Sequence, residues 1–320
     1  MKFIESSVEI IEQEPGVLGV YKQIEKAARL SYKSEDRITK DSAKKMVDTL
    51  VNNGHLACLE HGTIYLKITY DVSAIGSYHY SGINKYVRNP YSKVIFDDGC
   101  DFRTAYITTN ARVIFENKWE DDLQYMCEPT EHHAKRICVK FTTSIGITRE
   151  LLRHRKFSFM NESTRYCNYT KGKFGSELTF IIPEWIYDVQ AETASYKDHL
   201  NKPLDWIMTL KGERLLKQLD FYSDKVAVYY DHLSEAESSY NFLISTGLKA
   251  QDARSVLPLD TKSEIIMTGF IEDWIHFFRL RSYIAATGKP HPDIQKLADT
   301  LMQEFIDRNY CTYEQIKEGN

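Results

Sequence analysis

Apolar residues along this chain alternate with polar ones in short runs and recur at three- and four-residue spacing in longer ones. The two periods mark out strands and helices. Residues 3–12 alternate loosely and predict one strand, ended by Pro15-Gly16. Val17 to Tyr32 and Asp41 to Asn53 predict helices, the second closed by Gly54 in a C-cap position. Thr63 to Tyr70 (TIYLKITY) and Arg136 to Thr143 (RICVKFTT) alternate as strands do, and Ala105 to Phe115 is a further strand candidate. The 136–143 strand feeds a helix that starts over Ile145 to Leu152. Leu178 to Ile182 predicts a short strand stopped by Pro183, and residues 184–212 are mixed and partly helical. Glu213 to Thr246 predicts one long helix ended by Gly247. Its Leu215, Leu219, Tyr222, Val226, Tyr229, Leu233, Ala236, Tyr240 and Leu243 form a heptad-like seam for packing against other helices or subunits. A short helix, Ala250 to Leu257, precedes Pro258. Helices over Gly269 to Ser282 and Asp293 to Asp307 follow, then a polar tail.

Composition narrows the function classes. A length of 320 residues allows one large domain or two small ones. Hydrophobic content of 42% with a mean hydropathy of −0.43 fits a soluble globular protein rather than a disordered one. A net charge of −4 and a pI near 6.2 argue against a general nucleic-acid or membrane-surface binder, so any anion site must be a local concentration of cations. No run of about 18 apolar residues predicts a membrane span. The N-terminal stretch carries acidic residues where a signal peptide needs an apolar core, so a cytoplasmic location is expected. The six cysteines are scattered without a CxxC pair and read as reduced thiols, neither a disulfide frame nor a zinc site. Asn161-Glu162-Ser163 and Asn168-Tyr169-Thr170 match glycosylation sequons and carry no weight without a signal peptide. No GxGxxG or GxxxxGK[ST] run supports a dinucleotide-binding fold of the doubly wound kind or a P-loop.

Chemistry concentrates in one stretch, Arg153 to Tyr169 (RHRKFSFMNESTRYCNY). Arg153, His154, Arg155 and Arg165 stand among Ser158, Asn161, Glu162, Ser163 and Thr164, with Phe157, Phe159 and Tyr166 interleaved. Guanidinium groups clamp phosphate and stack on aromatic faces, and the small polar residues read polar edges, so the set suits a planar anionic ligand. A solvated basic turn is the plainer alternative. Glu150 is spaced to pair with Arg153 or His154 at i+3 and i+4. A second arginine cluster is dispersed. Arg254 sits in the short helix AQDARSVLP, and Arg281 shares a helix face with Trp274, Phe277 and Phe278. An arginine buried on an apolar face is costly unless it is paired, which suggests aim into a dry ligand pocket against the alternative of a side chain snorkelling from a helix end. His55-Leu-Ala-Cys-Leu-Glu60-His61 holds two histidines and a glutamate, but the spacing fits no common zinc motif and no metal site is expected.

Arg-His-Arg, then seven residues, then Ser163, closed by Arg165-Tyr166, resembles the signature of the flavin-dependent thymidylate synthases. Ala-Arg254-x-x-Leu-Pro258 followed 27 positions later by Arg281 resembles the same family in the same order, and His55 to His61 resembles its short His-x-x-x-Leu-Glu-His segment. The likeness covers most of residues 17–70 and 136–305. About ninety residues separate His61 from Arg153, so residues from about 71 to 134 read as an insertion within a single domain spanning 1–320. Lys85, Arg88 and Lys93 lie there, more plausibly on a solvated loop face than at a ligand.

The resemblance implies an α+β fold, with a central mostly antiparallel sheet and long packed helices, in subunits that assemble into a homotetramer with shared active sites. It implies conversion of dUMP to dTMP with methylenetetrahydrofolate as carbon donor and NADPH as reductant through bound FAD. On this basis Arg281 is the catalytic candidate. Glu150, Arg153, Asn161, Glu162, Ser163, Thr164, Arg165, Arg254 and Arg281 would contact dUMP, and Ala57, Arg153, His154, Arg155, Asn161 and His276 would contact FAD. Three departures stand out. Ala57 replaces a hydroxyl residue and leaves only a backbone contact, and Glu150 replaces a glutamine that reads the base. Phe270-Ile271-Glu272 stands where the family can show Asn-x-Arg. Either Asn161 or Glu162 faces the flavin. Ser163 has no paired base and reads as a binding residue, and no cysteine is placed as a catalytic thiol. Two other readings remain: a different FAD-dependent pyrimidine-modifying enzyme, and a non-catalytic nucleotide- or RNA-binding protein. Net acidity and the lack of a basic stripe count against the second.

Overall fold

The structure is a computed structural model that describes residues 1–71, 78–98, 102–171, 177–197, 201–285 and 288–318. In chain order the elements are β1 (Lys2–Ile4), β2 (Ser7–Ile11), α1 (Gly16–Leu30), α2 (Ser42–Asn52), β3 (Thr63–Asp71), α3 (Tyr78–Val87), β4 (Lys93–Asp98), β5 (Phe102–Asn110) and α4 (Ala111–Asn117). There follow β6 (Arg136–Ser144), α5 (Ile145–Leu151), β7 (Ser158–Asn161), β8 (Thr179–Ile181), α6 (Trp185–Ala194), α7 (Gly212–Tyr222), α8 (Asp224–Ser245) and α9 (Ala250–Ala253). The last are β9 (Lys262–Phe270), α10 (Ile271–Arg281), α11 (Pro292–Asp307) and α12 (Tyr313–Lys317). The architecture is α+β, with a central sheet ordered β2-β6-β9-β7 and antiparallel throughout. No helix among the described residues is long and apolar enough to cross a membrane.

The central sheet is buried on both faces. Val139, Phe141, Ile265 and Met267 meet Trp274, Phe277 and Phe278 of α10 and Leu301 and Phe305 of α11 on one side. Cys138 and Ile266 meet Ala27 and Leu30 of α1 on the other. Double burial explains why β9 carries no alternation: Ile265-Ile266-Met267 is a continuous apolar run, as a covered central strand requires. The helix expected from Gly269 therefore begins at Ile271, where the Asp273 carboxylate accepts from the Phe270 N–H at 3.2 Å.

Three other expectations shift. The strand over 3–12 is two strands in different sheets, β1 pairing parallel with β8 and β2 antiparallel with β6. Buried Phe3 and Ile10 fall on opposite phases of a two-residue period, so one straight strand could not bury both. The strand at Ala105–Phe115 ends at Asn110, whose side chain accepts from the Val113 N–H at 3.1 Å and caps α4. That strand belongs to a second sheet, β3-β5-β4, which packs Ile64, Leu66 and Ile107 against Val20 and Ile24 of α1. The single helix over 213–246 is broken at Ser223, which is extended (φ −145°, ψ 112°). The N–H of Ser223 bonds to Leu219 at 2.8 Å to close α7, while its carbonyl accepts from Val226 and Ala227 to open α8. The seam survives the break, because Leu215, Leu219, Val226, Leu233 and Tyr240 bury against Phe180 and Ile186 of this same chain.

The turn from β6 into α5 sets up the signature stretch. Ser144 Oγ accepts from the Ile147 N–H at 3.2 Å, and Ile145 and Gly146 donate their N–H groups to Thr261 and Leu259, each at 3.0 Å. Ser144→Ala should cost about 1 kcal/mol through the lost cap, read as a lower urea midpoint at unchanged slope.

Candidate active site

Helix α5 is short, so Arg153, His154 and Arg155 lie in the turn that follows it rather than on its face. Arg153 and His154 donate backbone N–H groups to Glu150 and Leu151 at 3.2 and 3.1 Å, and Phe157 donates to His154 at 3.1 Å. Phe157 is buried, its ring centroid 4.5 Å from that of Trp274. A Cβ at Gly269 would lie 2.5 Å from the Phe157 ring, so glycine is needed there for the turn to close on β9. The chain then enters β7, in register with β9 from Ser158↔Thr268 to Asn161↔Ile265.

The end of helix α5 also decides the partner of Glu150. With i+3 and i+4 lost to the turn, its carboxylate pairs with Arg281 Nη1 at 3.0 Å instead of Arg153 or His154. Arg281 Nε donates to His154 Nε2 at 3.1 Å. The His154 ring packs edge-on to Phe277, 5.0 Å between centroids. Burial and then the nearby charges of Arg281, His276 and Arg153 push its pKa down to about 4. The ring is therefore neutral near pH 7, accepting at Nε2 with its proton on Nδ1. Arg281 is not aimed into a dry pocket as its helix face suggests. It stands at the end of α10, 17% exposed, and its anionic partner is within the chain. Beside it lies an opening of ≈ 370 Å³ lined by Arg153, His154, Arg155, His276 and Arg281. Its one carboxylate, Asp273, is occupied in capping α10.

A second opening, ≈ 680 Å³, lies against the other side of α5 and gathers Asn161, Glu162, Ser163, Thr164 and Arg254. Arg254 Nη1 donates to Thr164 Oγ1 at 3.1 Å across ninety positions of sequence. Ser163 donates its N–H to the Ser31 carbonyl at 3.1 Å, which pins this part of the signature to the end of α1. Arg149, which sequence reading passed over, also lines this opening and is exposed; its place one residue before Glu150 was the available signal.

Glu162 is turned away from solvent. Lys262 Nζ lies 2.9 Å and Lys33 Nζ 3.8 Å from its carboxylate, and the Tyr169 hydroxyl donates to it at 3.3 Å. Glu264 joins both lysines, closing a half-buried cluster of two carboxylates and two ammonium groups. Burial followed by the charge of Glu162 holds the Tyr169 phenol protonated, its pKa well above the usual value. The lysines of this cluster had no sequence signal, since their partners are distant in the chain.

The remaining predicted residues lie elsewhere. Arg165 is exposed and lines neither opening; its guanidinium stands 5.5 Å from the Tyr166 ring, which packs on Tyr32. Ala57 lies in a short 3-10 turn, Leu56–His61, on a third groove of ≈ 650 Å³ with Ser31, Tyr32 and Met160. One chain thus brings together two groups of the predicted residues and leaves Ala57 and Arg165 apart from both. Burial raises the thiol pKa of Cys58, Cys138 and Cys311 to about 11 and of Cys167 to about 12, so none of them is an activated nucleophile.

A family model described as thymidylate synthase complementing protein, Thy1, matches residues 125–308, more than half of the chain. A probable flavin-dependent thymidylate synthase of Paramecium bursaria Chlorella virus 1 is 27% identical over 168 residues, 52% of this chain and 65% of that protein. A flavin-dependent thymidylate synthase of Synechocystis is 28% identical over 168 residues (52% and 66%), and one of Pyrococcus furiosus is 25% identical over 233 residues (70% and 78%). The chain spans just under two thirds of the length of the first two of these relatives. Among solved structures, a UMP/dUMP methylase from Streptomyces cacaoi bound with 5-Br dUMP aligns over 96% of this chain and 93% of its own at 18% identity and a TM-score of 0.41, a likeness too low to carry weight. The matched residues hold the whole signature and both C-terminal arginines, and the chain belongs to the Thy1 family, the flavin-dependent thymidylate synthases.

Proposed function

We propose that this protein methylates C5 of dUMP to give dTMP, with methylenetetrahydrofolate as carbon donor, NADPH as reductant and FAD as the bound cofactor. One observation carries the reading. Both C-terminal arginines meet the signature stretch, Arg254 at Thr164 and Arg281 at His154. The names of the relatives point the same way.

FAD suits the donor set at the first opening. Arg153 and Arg155 are exposed cations beside a neutral His154, and the only lining carboxylate is held by a helix N-terminus, so a diphosphate meets donors and little repulsion. His276 lines the same opening. When bound, FAD relays reducing equivalents from NADPH to the transferred carbon. An opening of ≈ 370 Å³ takes only part of a dinucleotide, and the groove at Ala57 is separate. Assembly as a homotetramer with sites shared between copies would join them, setting one chain's Arg254 side against another's Arg281 side.

The side chains divide the work. C5 of uracil attacks an electrophile only as negative charge builds on the ring, and a preoriented guanidinium stabilises that charge. Arg281 fills this role, with Glu150 and His154 fixing two of its donors. An ionised Glu150 accepts only, so it orients Arg281 instead of reading the base as a glutamine would. Arg254, Thr164 and Ser163 grip the nucleotide's phosphate, with Asn161 at the rim and Arg165 supplying charge outside it. Glu162 sits beneath them in its ion-pair cluster and supports Ser163 through the backbone.

The test is the visible spectrum and NADPH oxidation of the purified protein, with and without dUMP and methylenetetrahydrofolate. Flavin absorbance, with dTMP formed only when every substrate is present, is the expected result; bound flavin without dTMP would overturn the substrate assignment. Ser163→Ala should raise KM for dUMP about tenfold through a lost hydrogen bond while keeping most of kcat. Complete inactivity would instead reopen the reading of Ser163 as a nucleophile.

A further inference from the structure

A separate cavity of ≈ 330 Å³ lies where the second sheet meets the first, between β2, the start of β6 and residues 126–129. It shares no lining residue with the two openings that flank α5. Arg136 enters it from the first position of β6. Nη1 donates to the Glu60 carbonyl at 3.0 Å and Nη2 to Ser158 Oγ at 3.4 Å, and the guanidinium stands 5.7 Å from the Phe270 ring. Among the described residues no carboxylate lies within ion-pair distance of it. Burial holds its pKa below the usual arginine value, yet it stays a cation near pH 7.

Two further groups line the same cavity with a polar atom unmatched. His61 is fully buried; its Nδ1 is 2.8 Å from Thr268 Oγ1, and its Nε2 makes no well-formed hydrogen bond, although the Phe159 backbone is close enough to favour its protonated form. Burial and then Arg136 push its pKa to about 3, so it adds no charge. Gln23 is 2% exposed, and its Oε1 is likewise unpartnered. Buried polar atoms are rarely left unpaired without a functional or solvent explanation. The lining is mixed, with Ile10, Met126, Ile137 and Tyr310 standing among polar residues such as Gln13 and Thr63. The carboxylates at the mouth are engaged elsewhere or exposed: Glu12 bonds Arg308, Glu14 bonds Lys22, and Glu128 faces solvent.

From this arrangement we propose that the cavity binds a small organic monocarboxylate that carries an N–H donor at its other end. The buried guanidinium sets one negative charge; the other lining cation, Lys135, is exposed to solvent. The unpaired Gln23 acceptor asks for the donor, and the apolar and aromatic side chains of the lining suit a flat body. His61 Nε2 supplies a third polar contact. Arg136 and His61 bond Ser158 and Thr268, the pair that joins β7 to β9, so the groups an occupant would touch are tied to the signature strand.

Calorimetric titration of the full-length protein with indole-5-carboxylate, set against its neutral isostere indole-5-carboxamide, tests this. The carboxylate should bind saturably and about tenfold or more tightly than the amide, a difference of about 1.4 kcal/mol. Arg136→Met should remove the preference, whereas Arg281→Ala should retain it, which separates this site from the proposed active site. Should Arg136→Met fail to fold, the carboxylate-to-amide ratio in the unaltered protein decides. Equal affinity for the two compounds, no saturable heat, or displacement by inorganic phosphate at similar concentration would each overturn the proposal. The last would leave only a nonspecific attraction for anions, and the second would leave water as the partner of His61 and Gln23.

Discussion

Arg281→Ala is expected to lower dTMP formation by about 10²–10³-fold, the loss typical of removing one preorganised charge-stabilising donor. Flavin absorbance should persist, because Arg153, Arg155 and His276 still border the first opening. The geometry gives the reason for so large an effect. Arg281 is set at the end of α10, where Trp274, Phe277 and Phe278 are fully buried and leave the helix no freedom to shift. Glu150 takes Nη1 and His154 takes Nε, so the guanidinium plane is fixed before a substrate arrives, beside the opening that Arg281 lines. Arg281→Lys tests the planarity. An ammonium keeps the charge but is a compact point donor that cannot reproduce the guanidinium fork, so it should recover little of the lost rate. Single-turnover rates of dTMP formation, with the flavin spectrum as a control for binding, separate the outcomes. Turnover near that of the unaltered protein in either variant would remove Arg281 from the chemistry and leave it a structural partner of Glu150.

Much of the site was legible because its chemistry is packed into consecutive positions. The signature run from Arg153 to Tyr169 needs no long-range information to be noticed, and the helix carrying Trp274, Phe277, Phe278 and Arg281 announces itself by period. What stayed hidden depends on pairing across the chain. Strand β9 is covered by α10 and α11 on one face and α1 on the other, so it shows a solid apolar run in place of the alternation that flags a half-exposed strand. The break at Ser223 falls inside an unbroken heptad pattern, because the seam faces the same core from both sides of it. The i+3 and i+4 spacing assigned Glu150 to Arg153 or His154 on the premise that the helix ran on. With α5 ending at Leu151, the partner came from 131 positions away. Arg136 was read only as the start of a strand, and nothing local shows that it enters a cavity with no ion-pair partner among the described residues.

Glu162→Gln distinguishes a ligand contact from a structural one more sharply than any other substitution in the signature. The family resemblance made Glu162 a candidate for dUMP or flavin, whereas its carboxylate lies against Lys262, Lys33 and Tyr169 with almost no exposure. Neutralising it leaves two half-buried ammonium groups to share Glu264. Removing one member of a buried ion pair costs about 3–5 kcal/mol, and the surviving Glu264 should hold the loss to about 3, measured as a lower urea midpoint and a lower Tm. The pH dependence follows from the same cluster. Burial alone would raise the pKa of Glu264, but Lys262 and Lys33 outweigh it and hold the carboxyl below its ordinary value of 4.5. Its contribution to stability is therefore complete above that value and lost as pH falls through the depressed one. For Lys33, burial works to lower the pKa, while Glu162 and Glu264 together raise it above 10.5. That stabilisation is complete below 10.5 and lost as pH rises through the raised value, so Glu162→Gln should move the alkaline limb of the stability profile to lower pH. At a temperature where the variant is fully folded, KM for dUMP should be nearly unchanged. A large rise in KM with no change in Tm or in the alkaline limb would mean that Glu162 leaves the cluster to meet the nucleotide.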